Sequence, residues 1–350
     1  MDYRSKVPNI IMIKSIQPLG FPWQTQDPFL FCAYHKDHYP AGNEDMTISP
    51  EQLIGRNVGS DFMLKDNFRM YHGKTIPGFP YHPHRGFETI TINLEGVVDH
   101  SDSMGAAGRF TGGDVQWMTA GRGVLHSEMF PLIHTDSTNP LEMMQIWLNL
   151  PSKSKMVDPH FKMLWKEDIP ILRHKDSSDH TTTIRLVTGS LGSLKALDPT
   201  PNSWAANPDH AVCIYTIKME ANAQWVMPKT TAAANRTLYY YNGTGMSIAD
   251  QIIQTNHLIQ LEADHEITLH NGEAPSYLLV LEGVPINEPV VQHGPFVMNT
   301  QEEIQQTMRE YGRTQFGGWP WPATEYVHAR DKGRFALHSD GREEIKEALH

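Results

Sequence analysis

The sequence predicts an all-β chain, with two β domains in tandem and a partly helical tail. Three observations carry this reading. Short alternating or wholly apolar runs recur between Gly, Pro, Asn and Asp, the pattern of a sandwich or barrel. Helical periodicity is scarce before residue 300. At 350 residues the chain can hold two domains of common size, each with its own core.

ETITINLEG (88–96) shows the strand pattern most plainly, with Ile90, Ile92 and Leu94 on one face and Thr89, Thr91 and Asn93 on the other. DVQWM (114–118) and MMQIWLNL (143–150) read as further strands of a first set, and PSKSK (151–155) closes it. The polar stretch to Pro201 reads as a connection with one or two strands, IRLVTG (184–189) among them. VCIYTIKM, TLYYYN, HLIQLE and SYLLVLEG form a second set from Ala211 to Gly283. Thr300 to Tyr311 reads as a helix. Thr300 can cap it, Glu303 completes a capping box, and Ile304, Met308 and Tyr311 form an apolar stripe. REEIKEAL (342–349) predicts a last short helix.

Composition narrows the function. The net charge of -11 argues against a broad phosphate-binding surface and hence against direct nucleic-acid binding. No apolar run approaches the ~20 residues that span a bilayer. The first apolar run, Ile10 to Ile13, is short of the roughly 7–15 residues of a signal-peptide core, so a cytoplasmic location without membrane attachment is expected. Cys32 and Cys213 are too few for a disulfide framework or a thiolate cluster. Histidine is abundant, at 19.

Two spacings turn that abundance into chemistry. His82 and His84 lie two apart in YHPHRGFE, so on a strand both imidazoles share a face. His126 and Glu128 repeat the spacing in GRGVLHSEM. Two such pairs on neighbouring strands of a small barrel could converge on one divalent ion, leaving open positions for substrate or oxygen. Glu88 shares strand parity with His82 and His84, so parity alone does not choose between the two carboxylates. His72, His100 and His134 lie in polar turn text; His100 could serve as a donor behind the ligands.

These segments resemble a known family. HPHRGFETITINLEG (82–96) is similar to the first cupin motif, and GGDVQWMTAGRGVLHSEMF (112–130) to the second. MTAGRGVLHSEM is the wording of the pirin branch. The resemblance continues through MMQIWLNLP, KMVDPHF (155–161) and QHGPFVMNTQEEI (292–304), so it reaches across most of the chain. It implies two tandem cupin barrels of jelly-roll type with a short helical tail. Residues 1–150 would form the metal-binding cupin with an N-terminal extension, and 151–200 a linker with connecting strands. Residues 201–290 would form a second cupin, and 291–350 a tail with a docking helix. The resemblance places the ligands on His82, His84, His126 and Glu128 rather than Glu88. It names iron(II) as the first choice of ion, with copper, nickel, manganese, cobalt or zinc compatible with the same donors.

A duplicated barrel invites a search for a duplicated site. His82 and His84 precede Gly96 by fourteen and twelve residues. If Gly243 in YYYNGTG is the equivalent glycine, the matching positions are Lys229 and Thr231, and His265 and His270 have no partner pair. The second barrel is therefore expected to be metal-free.

The resemblance further implies a quercetin 2,3-dioxygenase-like oxidoreductase, in which a flavonol ring is opened by O2 with release of carbon monoxide. Glu128 would be the catalytic proton acceptor, and the expected partners are a small aromatic substrate and O2. The rival reading is a non-enzymatic, metal-containing redox sensor or co-regulator that binds a protein partner. A third, a cupin enzyme such as a sugar-phosphate isomerase, fits the continuous pirin wording least.

Overall fold

The computed structural model describes residues 12–346. Among them no helix is long and apolar enough to cross a membrane. The chain opens with β1 (Ile13–Pro18), which pairs with the strand His257–Leu261 of the second barrel. The first barrel then takes β2 (Phe29–Tyr39), β3 (Gly78–His84), β4 (Phe87–Glu95), β5 (Val97–Asp102), β6 (Ala107–Thr111), β7 (Val115–Thr119), β8 (Val124–Met129), β9 (Asn139–Asn149) and β10 (His160–Leu164). β11 (Ile171–Lys175) and β12 (Thr181–Thr188) pass to the second barrel, so the segment 151–200 supplies strands to both.

Each barrel is two antiparallel sheets face to face. In the first, a five-stranded sheet in the order β10-β7-β4-β9-β2 faces a six-stranded one built on β6-β5-β8-β3. In the second, a seven-stranded sheet runs from β1 to β11 and includes Cys213–Met219, Asn235–Asn242 and Ser276–Gly283; it faces a four-stranded sheet. The runs that read as apolar throughout are these central strands. Their side chains alternate between two buried faces, so no polar phase is needed. Tyr240, Leu278 and Val280 turn into the second barrel, whereas Tyr239, Tyr241, Leu279 and Leu281 turn outward.

Those outward residues meet the first barrel. Ile90, Ile92, Val115, Trp117, Met144, Ile146 and Leu148 pack with them in one continuous cluster between the two barrels. The apolar face of ETITINLEG therefore looks at the neighbouring barrel, and its Thr89, Thr91 and Asn93 face looks into the barrel's own interior. That inversion makes room for polar chemistry inside.

The tail closes the site. The predicted helix is α1 (Gln301–Thr314), with the Thr300–Glu303 capping box in place. Ile304 is fully buried and Tyr311 packs on Phe296, but Met308 is 45 % exposed and Thr307 takes its buried position. Arg85 donates to Thr307 Oγ1 at 3.3 Å and to Glu310 Oε2 at 3.0 Å, fastening α1 beside His84. The helix predicted at REEIKEAL is corrected: Glu343–Ile345 is a strand, paired with Phe335–Leu337 at the edge of the first barrel, and 347–350 lie outside the described residues. Glu344 accepts from Trp165 Nε1 and His338 Nε2, each at 2.7 Å, and these tertiary partners override a helix preference that is weak over so few residues.

Candidate metal centre

β3 and β8 are antiparallel neighbours, and a register shift between Phe79 and His82 brings His82 directly opposite His126. A directly opposed pair shares a face, and His84, two residues on, joins it. The ring centroids stand 4.7 Å (His82–His84), 4.5 Å (His82–His126) and 4.8 Å (His84–His126) apart. One ligand nitrogen from each lies within 4.8 Å of the others.

The protonation pattern is set by the neighbours. His82 Nδ1 is 2.9 Å from the Pro80 carbonyl and His84 Nδ1 is 3.4 Å from the Pro295 carbonyl. A carbonyl only accepts, so each Nδ1 carries the proton and each Nε2 presents a lone pair. Those two Nε2 atoms are 3.1 Å apart. Two lone pairs at that distance repel unless a proton or a cation lies between them. His126 is fully buried, and neither of its ring nitrogens has a hydrogen-bond partner among the described residues. A buried imidazole is normally paired, so this set fits a metal ion that takes up all three lone pairs. Burial holds the three rings neutral, lowering His82 to about 4 and His84 and His126 well below the ordinary value, and neutral imidazole is the form that ligates.

Glu128 is fully buried and lines the same cavity as His82 and His84, outside the close trio of rings. Its Oε1 accepts from Thr91 Oγ1 at 2.7 Å and its Oε2 from the Gln145 amide. Gln145 is itself held through its Oε1 by Trp147 Nε1 at 3.2 Å. Burial raises the Glu128 carboxyl, and these hydrogen bonds oppose that.

Glu88 lies elsewhere. β3 ends at His84 and β4 starts at Phe87 in the opposite sheet, so the even parity seen in the sequence does not survive the turn. Its carboxylate faces the inter-barrel side, where Trp117 Nε1 (3.2 Å), Thr119 Oγ1 (2.7 Å), Thr200 Oγ1 (2.6 Å) and Ser203 Oγ (2.5 Å) surround it. His100 also departs from the sequence reading. It is a fully buried strand residue in β5, opposite Glu128 and stacked on Phe161, and not a turn residue.

His82 and His84 line a cavity of about 450 Å³ walled by Phe21, Phe31, Phe62, Phe79 and Trp147, a size that suits a small organic ligand; His126 is fully buried beside them. Sequence reasoning passed over Thr91, Gln145, Trp147 and His35, all interior residues. A signal was present for Gln145: it is the one polar side chain between Met144 and Ile146, in a strand read as apolar.

Comparisons with known proteins bear on the family and the fold. The family profile described as Pirin matches residues 44–148, and the Pirin C-terminal cupin domain matches 214–317. The Homo sapiens protein named Pirin is 36% identical over 262 residues, covering 73% of this chain and 82% of its own length. A Pseudomonas aeruginosa protein provisionally named a quercetin 2,3-dioxygenase is 34% identical over 254 residues, covering 71% and 84%. Among solved structures, a quercetin 2,3-dioxygenase from Acinetobacter baumannii superimposes with a TM-score of 0.67 at 25% identity, over 88% of this chain and 98% of that one.

Proposed function

This chain belongs to the pirin family, and from that premise we propose that its first barrel is a metal-dependent dioxygenase site able to cleave a flavonol such as quercetin with O2. His82, His84, His126 and Glu128 would hold the ion, with Fe(II) the first choice. The observation that carries the reading is the convergence of three neutral imidazoles, two of which line an aromatic-walled cavity. A bound divalent ion supplies Lewis acidity toward an enolic hydroxyl and redox chemistry with O2.

The chain's own residues do the rest. Phe21, Phe31, Phe62, Phe79 and Trp147 give a planar ligand stacking faces and keep bulk water away. Thr91 and Gln145 aim the Glu128 carboxylate, whose oxygens face the cavity floor as proton acceptors for the flavonol hydroxyl. Trp147 packs edge-on against His84 at 5.3 Å and fixes its ring plane. The test is an aerobic assay on protein restored with each candidate metal. Metal-dependent loss of the quercetin absorption band with O2 uptake is expected. One bound ion with an unchanged band would contradict the dioxygenase reading and select the sensor or co-regulator, which needs the same ligands.

A further inference from the structure

β2 contributes a group to the cavity wall that the metal chemistry does not use. His35 lines the cavity and is 4 % exposed. Its ring is clamped by edge contacts to Tyr71 (4.9 Å), Phe21 and Phe79 (5.8 Å each). Phe79 in turn stands 6.4 Å from His82, and among the described residues no ring contact joins His35 to the imidazole trio.

A hydrogen-bond chain behind the ring fixes its tautomer. Tyr71 Oη donates to Asp37 Oδ2 at 2.6 Å, and Asp37 Oδ1 accepts from Arg69 Nη1 at 3.1 Å. With its proton committed to Asp37, the Tyr71 oxygen accepts from His35 Nδ1 at 2.8 Å. His35 Nε2 is left as a lone pair with no protein partner among the described residues. Burial, reinforced by Arg69, lowers His35 to about 3, so the ring stays neutral. Tyr71 holds a left-handed backbone (φ 56), uncommon for a bulky residue and kept here by paired backbone hydrogen bonds with Asp61 at 2.8 and 2.9 Å. Such effort to present one acceptor in an aromatic cavity points to a ligand donor.

We propose that His35 Nε2 accepts a hydrogen bond from a phenolic hydroxyl on the part of a bound aromatic ligand remote from the histidine trio, with Tyr71 and Asp37 as positioning residues that hold the accepting tautomer. His35 thus determines specificity among hydroxylated aromatics, an inference that rests on the flavonol reading for its ligand class.

The test compares quercetin with 3-hydroxyflavone, which keeps the chelating hydroxyl and lacks the others. Both are titrated anaerobically into zinc-loaded protein. His35→Phe is expected to weaken quercetin about tenfold, because a hydroxyl buried without its partner loses its hydrogen bond outright. It should leave 3-hydroxyflavone within about twofold, and Tyr71→Phe should weaken quercetin about threefold. Equal weakening of both ligands by His35→Phe, or of neither, overturns the proposal. If the unsubstituted protein binds neither flavonol, the flavonol reading fails by itself, and nitrogen NMR of histidine-labelled protein decides the tautomer without ligand or variant. Protonated Nδ1 with bare Nε2 supports the assignment; the reverse tautomer or a charged ring overturns it.

Discussion

Between the sheets of the second barrel sit Trp225, Tyr215, Tyr240, Met219, Met227 and Leu269, all apolar or aromatic. Between the sheets of the first, the middle of the space is held by His84, His126, Glu128, Thr91 and Gln116, all buried, with Gln145 beside them. The strands and pairing are of one kind, and the first barrel too has apolar packing around Val98, Phe110, Phe130, Met143 and Phe161, but its interior also gathers this polar group. An apolar interior is stable by itself, whereas a polar one loses that contribution and must be supported from outside. In the first barrel the support is visible. The inter-barrel cluster covers the outer face of its five-stranded sheet. On its other sheet the buried Asp99–Arg109 pair (2.7 and 2.8 Å) lets Arg109 clasp the carbonyls of His328, Ala329 and Lys332 from the tail. The second barrel and the tail thus stabilise a first barrel that holds a polar site beside its own apolar packing.

The contrast can be broken most forcefully by exchanging fillings. Leu269→Gln puts an unpaired amide into the apolar barrel and should cost roughly 3–5 kcal/mol in urea unfolding. Gln116→Leu should cost under about 1 kcal/mol or stabilise, since neither Gln116 amide atom has a partner among the described residues. Equal costs would show that the two interiors are not different in kind. The two buried carboxylates of the first barrel sharpen the comparison next. Glu128→Gln should weaken metal binding by more than the roughly 10- to 100-fold that losing a partner behind a ligand costs; Glu88→Gln should retain the metal and cost about 1–3 kcal/mol of stability through its hydroxyl and indole donors. The reverse ranking in a metal titration would give Glu88 the ligand role.

A further contrast distinguishes the barrels by pH. His35 is a buried, neutral imidazole of the first barrel, and among the described residues the second barrel buries no histidine. Its folded value of about 3 lies below the ordinary 6.5, so the unfolded chain binds the proton more readily. The stabilising contribution is complete above about 6.5 and is lost as pH falls toward 3, at up to ~1.4 kcal/mol per pH unit. His35→Phe should flatten that part of the stability profile, and an unaltered slope would mean that His35 is already charged in the fold. The smallest effect tests the tail. Thr300→Ala should lower stability by about 1 kcal/mol through the lost cap of α1, with metal content unchanged.

The fold class, most strands and α1 could be read from the sequence because period and capping are local signals. The shared face of His82 and His84 could be read as well, since i, i+2 spacing on a strand fixes it. What escaped was set by distant parts of the chain. Glu88 and His84 share parity in the sequence but belong to opposite sheets, and the turn at Arg85–Gly86 separates them. His35 and Tyr71 meet only after β2 is laid against a long loop, so no spacing joins them. Glu343–Ile345 carries a helical pattern that its strand partner and the Trp165 hydrogen bond outweigh.

The most direct test of a site confined to the first barrel is elemental analysis of the purified protein beside its His126→Ala variant, with folding checked by circular dichroism. The account predicts close to one equivalent of metal in the parent protein and almost none in a folded His126→Ala. Full metal content in that variant would place the ion elsewhere and contradict the assignment.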